Sequence, residues 1–407
     1  MDGSGLTEAG SNVRRRRVFY IPGYDPFPPR RYRELYRREG AEQAAISGYE
    51  IAVGRGPGQP REAWRVKARI DGHEVLSDVE VLVWSDLVQG SMDQSILGTY
   101  VQLFRTAGLY LFSGTLFRLM SLRKGPILAA LYPVMMLLAQ LGVAWIAGWA
   151  VASLLGLVLP WGLGWIAGVL VMVWLLIRFK RLDHRLFAYY LMHDYAYTAR
   201  LSGANPPELE ARMADFRRAI RSAMDTPCDE VLVVGHSSGA HLAVSILADL
   251  LREGVPPGGP ALSFLSLGQV VPMVSFLPRA DRLRADLHDL AALDDLTWVD
   301  VTAPGDGCAF ALCDPVAVTG VAPKGKRWPL VISAAFSQTL SEARWKALRW
   351  KFFRLHFQYL CAFDRPRDYD YFRITAGPMT LGARYAGRKP SRSRIDVPVS
   401  GYVSRSA

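Results

Sequence analysis

Hydrophobic positions fall into three patterns along this chain. Short runs crowded with β-branched and aromatic residues, RVFYIPGYDP (17–26), AWRVKARI (63–70) and VEVLVWSDLV (79–88), predict strands. The first of them ends as a strand at Pro22-Gly23, and a polar link, DGHE with His73, separates the other two. RYRELYRREGAEQAA (31–45) is helix-like. In PPELEARMADFRRAIRSAM (206–224), Leu209, Met213, Phe216 and Ile220 lie three or four apart, which is the stripe of an amphipathic helix. EVLVV (230–234), ALSFLSLG (261–268), LTWVDV (296–301) and PLVISAAF (329–336) read as buried strands, and HLAVSILADLLRE (241–253) as a helix. Strands alternating with helices predict an α/β fold built on a mostly parallel sheet.

The third pattern is different in kind. From Gly125 to Ile177 there is no Asp, Glu, Lys, Arg or His. A single membrane span needs about 20 apolar residues, so this run is long enough for two spans and a turn. Pro160-Trp161-Gly162 supplies the break, which places the spans near 128–150 and 161–179. Arg118, Arg123 and Lys124 precede the pair, Arg178, Lys180 and Arg181 follow it, and the turn is uncharged. The positive-inside rule then puts both ends, and the soluble parts on either side, in the cytoplasm. The margins 99–120 and 185–197 are aromatic and apolar, as interfacial helices are, although packed core helices carry the same composition.

Composition adds modest constraints. The 407 residues carry 48 Lys+Arg against 37 Asp+Glu, a formal charge of +11. That excess suits an anionic membrane surface. No nucleic-acid-binding motif accompanies it, so nucleic acid is not expected as a partner. Arg14 to Arg17 read as a basic patch or a solvated flank. The leading residues lack the apolar core of a secretory signal. Cys228, Cys308, Cys313 and Cys361 form no CxxC pair, and reduced cytosolic thiols are expected, with a Cys308–Cys313 bridge left open.

The chemistry concentrates in VLVVGHSSGAHLAVSILADLL (231–251), where Gly235-His236-Ser237-Ser238-Gly239 matches G-x-S-x-G between a strand and a helix. A strand that turns this sharply into a helix strains its middle residue, and the flanking glycines make room for it. The serine hydroxyl is then held above the sheet, with the next backbone N–H aimed at a developing oxyanion. Ser237 is therefore the candidate nucleophile. His241, His288 and His356 follow it in the chain. His241 is too close to the turn, and His288 precedes the expected acid, which leaves His356 as the base. Asp306, just past a predicted strand end, is the preferred acid, with Asp314 and Asp300 as alternatives. Oxyanion donors are expected from Ser238 N–H and from Tyr24 N–H in IPGYDP, an early strand-end loop. No cofactor and no metal is required by this chemistry.

These residues resemble the α/β-hydrolase superfamily. VFYIPGYDP stands where its oxyanion-loop strand would, VLVVGHSSGAHLA where its nucleophile elbow would, and HFQYL is similar to the H-x-x-Y around the base of some lipase-like members. The chain departs from many relatives in having Pro22-Gly23 where they have His-Gly. The resemblance implies an α/β-hydrolase-type sheet interrupted by the transmembrane hairpin. Its expected parts are a disordered N-terminus (1–13), a first hydrolase segment (14–98), a membrane insertion (99–200), a second hydrolase segment (201–386) and a mobile basic tail (387–407). ARWKALRWKFFRLHFQYL (343–360) interleaves basic and aromatic residues and ends at the proposed base, which places the site near lipid. The implied activity is that of a membrane-anchored serine esterase or lipase-like hydrolase acting on lipid or acyl esters. Acyl transfer or thioester cleavage by the same triad, and a non-catalytic membrane scaffold, are the alternatives.

Overall fold

The computed structural model of the protein describes residues 12–56 and 62–406. Eight strands form one sheet: β1 (Arg15–Ile21), β2 (Glu50–Gly54), β3 (Ala63–Ile70), β4 (His73–Val81), β5 (Glu230–His236), β6 (Ala261–Leu267), β7 (Thr297–Thr302) and β8 (Leu330–Ser333). Their order is β2-β3-β4-β1-β5-β6-β7-β8. β2, β3 and β4 pair antiparallel, and every pairing from β4 through β8 is parallel. The fold is thus α/β with a mixed, mostly parallel sheet. β5 lies near its middle and is buried at all seven positions, which is why its sequence is a near-continuous apolar run rather than an alternation. Hydrophobic side chains pack in separate clusters on the two faces of the sheet.

The first third of the chain departs from its hydrophobic pattern in two places. The strand expected at 79–88 starts earlier, at His73, and ends at Val81, after which Ser85–Met92 is a helix. The cause is the turn. Asp71 and Gly72 both have positive φ, 52° and 80°, the conformation that closes a two-residue hairpin, so the chain reverses directly and His73 already pairs with Ile70. β2 has no counterpart among the expected strands; it is a short edge strand with no fully buried residue.

The arginine run at 14–17 is divided: Arg14 and Arg15 are exposed, whereas the next two are committed to the sheet. Arg16 is fully buried on β1, with its Nε 2.5 Å from Glu230 Oε2 on β5. Its other nitrogens donate to the carbonyls of Gly377 and Met379. Glu230 Oε1 accepts from Ser263 Oγ and Leu381 N. A buried ion pair is tolerated when its remaining hydrogen bonds are met in this way. Arg17 pairs with Glu80. Of the expected disordered segment 1–13, residues 1–11 lie outside the described residues. Val13 is buried, and its N–H donates to Pro378 O.

The expected mobile tail is also corrected. Ile395 exchanges backbone hydrogen bonds with Leu312 and Asp314, Val399 N donates to Val318 O, and Ser404 O accepts from the buried Arg284. The described part of the tail is held to the body by these bonds despite its basic, Ser-rich composition. All four cysteines are free, so Cys308 and Cys313 are not bridged.

Between β4 and β5 the chain leaves the sheet for a helical insertion. Two of its helices, Lys124–Leu155 and Gly162–Arg181, are long and apolar enough to cross a membrane. The first has 32 residues, about 48 Å at 1.5 Å per residue, more than the ~30 Å of a hydrocarbon core. Its N-terminal part packs on the body, where Ile127 and Leu137 are buried, and its C-terminal part carries outward-facing Val143, Trp145, Ile146 and Trp149. The two helices meet through small residues four apart, Ala144, Gly148, Ala152 and Gly156 against Gly164 and Gly168. A Cβ on Gly148 would lie 2.6 Å from Gly168 O, and one on Gly164 would lie 2.9 Å from Ala152 O. Such close backbone approach is how apolar helices associate without a hydrophobic drive. The flanks read as interfacial are helices Ile96–Phe112, Thr115–Leu122 and Ala188–Ala199. The first two bury Tyr100, Leu103, Tyr110 and Leu119 and expose Leu97, Phe104, Phe112 and Phe117.

This packing predicts a contrast between two glycines of one helix. Gly168→Leu forces the hairpin apart and lowers the thermal midpoint in detergent by several degrees. Gly162→Leu, at a position with no neighbour within 4 Å, leaves it unchanged.

Candidate active site

β5 ends at His236, and the helix Gly239–Arg252 begins three residues later. So tight a reversal leaves Ser237 in the left-handed region at φ 56°, a strained conformation for a residue with a side chain. Ser237 N donates to Leu267 O on β6, and Ala240 N donates to Ser237 O, which pins the turn from both sides. The glycines around it are required by space. A Cβ on Gly235 would lie 2.8 Å from Ala240 Cα, and one on Gly23 would lie 2.9 Å from Ser237 Cβ. On Gly239 a Cβ would run into the carbonyl oxygens of Ile21 and Pro22. The end of β1, the loop after it and the turn after β5 therefore meet backbone to backbone.

That approach brings Tyr24 and Ser238 to the same cavity as Ser237. Neither the Tyr24 N–H nor the Ser238 N–H donates a hydrogen bond among the described residues. The loop holding Tyr24 is fixed by its neighbours. Trp84 Nε1 donates to Pro22 O at 3.0 Å, and Asp25 accepts from Phe27 N and from Tyr32 Oη.

His356 closes a short helix, Phe352–His356, and its Nδ1 lies 2.7 Å from Asp306 Oδ2 in a fully buried contact. Asp306 sits in the loop after β7. Its Oδ2 also accepts from Tyr359 Oη at 3.0 Å, and its Oδ1 accepts from Cys308 N at 2.9 Å. A carboxylate held by three donors fixes the imidazole's orientation and directs Nε2 away from it. His356 Nε2 is buried, has no hydrogen-bond partner among the described residues, and His356 lines the cavity with Ser237. The structure thus brings Ser237, His356, Asp306, Tyr24 and Ser238 to one place, without a hydrogen bond between Ser237 Oγ and His356 Nε2.

The other candidates are committed elsewhere. Asp300 is buried within β7 and accepts from Ser266 Oγ at 2.5 Å. Asp314 caps a short helix through Val316 N and Ala317 N and binds Lys326 Nζ. His288 Nδ1 faces Val321 O. His241 lines the cavity, but burial pushes its pKa down to about 4.

Of three further groups at the site, Tyr359 is the tyrosine of the HFQYL pattern, whereas His236 and Asp194 carried no signal of their own in the chain. His236, inside the G-x-S-x-G turn, has Nε2 3.0 Å from His356 O, and burial and the neighbouring His356 push its pKa down to about 3. It is a neutral donor that positions the base. Tyr359 holds both Asp306 and Ala303 N. Asp194, from the insertion helix Ala188–Ala199, lines the cavity, and burial raises its carboxyl to about 7.

The basic-aromatic stretch 343–360 is broken into two helices and a 3-10 turn, so it is not a continuous amphipathic surface. Some of its rings brace the acid loop. A Cβ on Gly305 would lie 2.5 Å from Trp345, and one on Gly307 would lie 3.1 Å from Phe352. Trp350 faces outward, and Phe353 lines the cavity against Tyr190 and Phe187.

Asp306, Cys308 and His356 also offer metal-ligand atoms within 4.8 Å of one another. The direct Nδ1–Oδ2 contact makes two of them hydrogen-bond partners, so the group does not have the form of an open three-ligand site. The cavity itself has a volume of about 100 Å³ and is walled by both the sheet's loops and the insertion, including Pro126, Tyr190, Leu191 and Tyr195. Family models, curated proteins and solved structures were all compared with the chain, and none matches it.

Burial makes one pH prediction. The unfolded chain ionises Asp300 near its ordinary value of 3.8, whereas the folded chain holds its proton to about 8. Folding therefore binds a proton between those values, and this group's contribution to stability is lost as pH rises through the window. Asp300→Asn should flatten the fall in thermal midpoint from pH 5 to pH 8, and denaturation scans across that range will show whether it does.

Proposed function

We propose that the protein is a membrane-anchored serine hydrolase of the α/β-hydrolase type that cleaves carboxylic esters of lipid or acyl character. The observation that carries this reading is the shared cavity. A left-handed Ser237, His356 with a free Nε2, and two uncommitted backbone N–H groups border it, and Asp306 holds His356 from behind. Each has a role that ester cleavage needs.

In the reaction, His356 Nε2 takes the Ser237 hydroxyl proton as Oγ bonds to the ester carbonyl carbon. The carbonyl electron pair moves onto oxygen, where the N–H groups of Tyr24 and Ser238 stabilise it. Asp306 holds the imidazole tautomer and offsets the charge of the imidazolium. Collapse breaks the bond to the alcohol oxygen, and His356 returns its proton to that leaving group. Water, deprotonated by His356, then releases the acid from Ser237. An alcohol in place of water gives acyl transfer, and a thioester substrate gives thioesterase action.

The membrane assignment rests on the two apolar helices and on where they join the body. The first begins beside the site, with Pro126 on the cavity wall and Gly125 against Gly307 of the acid loop. Basic residues flank both ends of the hairpin, which favours a cytoplasmic site at the bilayer surface. Esters that partition into the membrane would meet the cavity there. A non-catalytic scaffold is the second reading, favoured by the missing Ser237–His356 hydrogen bond.

Hydrolysis of p-nitrophenyl butyrate by the detergent-solubilised protein tests the proposal. Ser237→Ala and His356→Ala should each lower kcat/KM at least ~1,000-fold, and Asp306→Asn about as much. Asp314→Asn should stay within about threefold of the parent. Equal turnover by parent and Ser237→Ala would support the scaffold reading.

A further inference from the structure

Two acids, Asp25 and Asp194, border the reaction cavity, a third, Asp306, stands behind His356, and the three differ in what they are bonded to. Both oxygens of Asp306 are taken up by His356, Tyr359 and Cys308 N, and both oxygens of Asp25 by Tyr32 and Phe27 N. The Asp194 side chain has no hydrogen bond or ion pair among the described residues, its backbone being part of the helix Ala188–Ala199. It is half-buried, and burial raises its carboxyl to about 7. An acid left uncommitted on the wall of a site is available to what enters the site.

Its support is rigid. The helix Ala188–Ala199 is capped by Asp183, whose two oxygens accept from Tyr189 N and Tyr190 N at 2.9 Å each. Tyr190 Oη donates to Tyr24 O in the oxyanion loop, and His193 Nδ1 lies 2.8 Å from Gln102 Oε1. Asp194 is therefore held at a fixed place over the nucleophile.

The surroundings define what it would bind. Aromatic rings run outward from the oxyanion loop: Tyr24 to Tyr190 at 6.1 Å, Tyr190 to Phe353 at 6.4 Å, and Phe353 to Phe187 at 5.3 Å between centroids. No lysine or arginine lines the cavity, although the chain carries a net +11. Arg200 pairs with Glu208, and Arg31 lies behind the wall, stacked on Phe27 and, at 5.6 Å, on Phe357. An acid amid aromatic faces, with no basic residue on the wall, attracts an ammonium group and repels a carboxylate or phosphate. A bound cation would also draw the Asp194 proton off.

Building on the hydrolase reading, we propose that Asp194 contacts the alcohol portion of the substrate and selects esters whose alcohol carries an ammonium group.

Three esters with the same acyl group test this: butyrylcholine, the glycerol monobutyrate ester and the butyrate ester of glycolate. The parent should hydrolyse butyrylcholine with kcat/KM about tenfold above the glycerol ester, and the glycolate ester most slowly. Asp194→Asn should lower kcat/KM for butyrylcholine about tenfold through a raised KM, abolishing the choline preference. Asp194→Lys should favour the glycolate ester. A parent with no choline preference, or an Asp194→Asn enzyme that keeps it, overturns the proposal and leaves the hydrolase reading intact. Turnover of none of the three by the parent overturns both.

Discussion

The site depends on one close approach. The turn after β5, the end of β1 and the first residue of the following helix come nearer to one another than any side chain allows. Gly23, Gly235 and Gly239 stand at the three contacts, and Ser237 alone in the turn carries a side chain at positive φ. A left-handed residue other than glycine costs of order 1 kcal/mol or more, and the surrounding packing must hold it there. Here that packing is the parallel register of β1, β5 and β6, which aligns Ile21 with Gly235 and Gly235 with Ser266. The position of the candidate nucleophile and of the two free N–H groups proposed as oxyanion donors follows from that register.

His356 and Asp306, the proposed base and acid, are held by a separate set of contacts that converge on the same cavity. Tyr359 ties Asp306 to the end of β7, and His236 ties the backbone of His356 to the end of β5. Gly268, at φ 53°, has no room for a side chain because the Tyr359 and His356 rings stand where it would go. The insertion completes the enclosure. It leaves the sheet after β4 and returns before β5, and its residues Pro126, Tyr190, Leu191 and Tyr195 wall the cavity beside the loops of the candidate site. The apolar hairpin and the cavity wall are parts of one continuous segment of chain. A membrane around the hairpin would thus fix the orientation of the site as well as its location.

Much of this was legible in the sequence because it rests on local chemistry. G-H-S-S-G between an apolar run and an amphipathic helix locates the elbow, and 53 consecutive residues without a charge or a histidine locate the hairpin. What escaped rests on long-range contacts. Arg16 belongs to a charged run, yet it is buried because Glu230 lies beside it across 214 residues. The tail is basic and Ser-rich, yet it is pinned by carbonyls and N–H groups that composition does not register. Asp194 sits in an aromatic stretch that reads as interfacial, and only the return of the insertion over the elbow places it at the site. The 343–360 segment reads as one basic-aromatic surface because periodicity cannot show that Trp345 and Phe352 are used against glycines of the acid loop.

The central claim is that Ser237 is an activated nucleophile. Treatment of the membrane-embedded protein with a fluorophosphonate, followed by peptide mass spectrometry, tests it most directly. The account predicts a single adduct on Ser237, absent from Ser237→Ala and strongly reduced in His356→Ala. No adduct in bilayer or detergent, or an adduct on Ser238 instead, would contradict it.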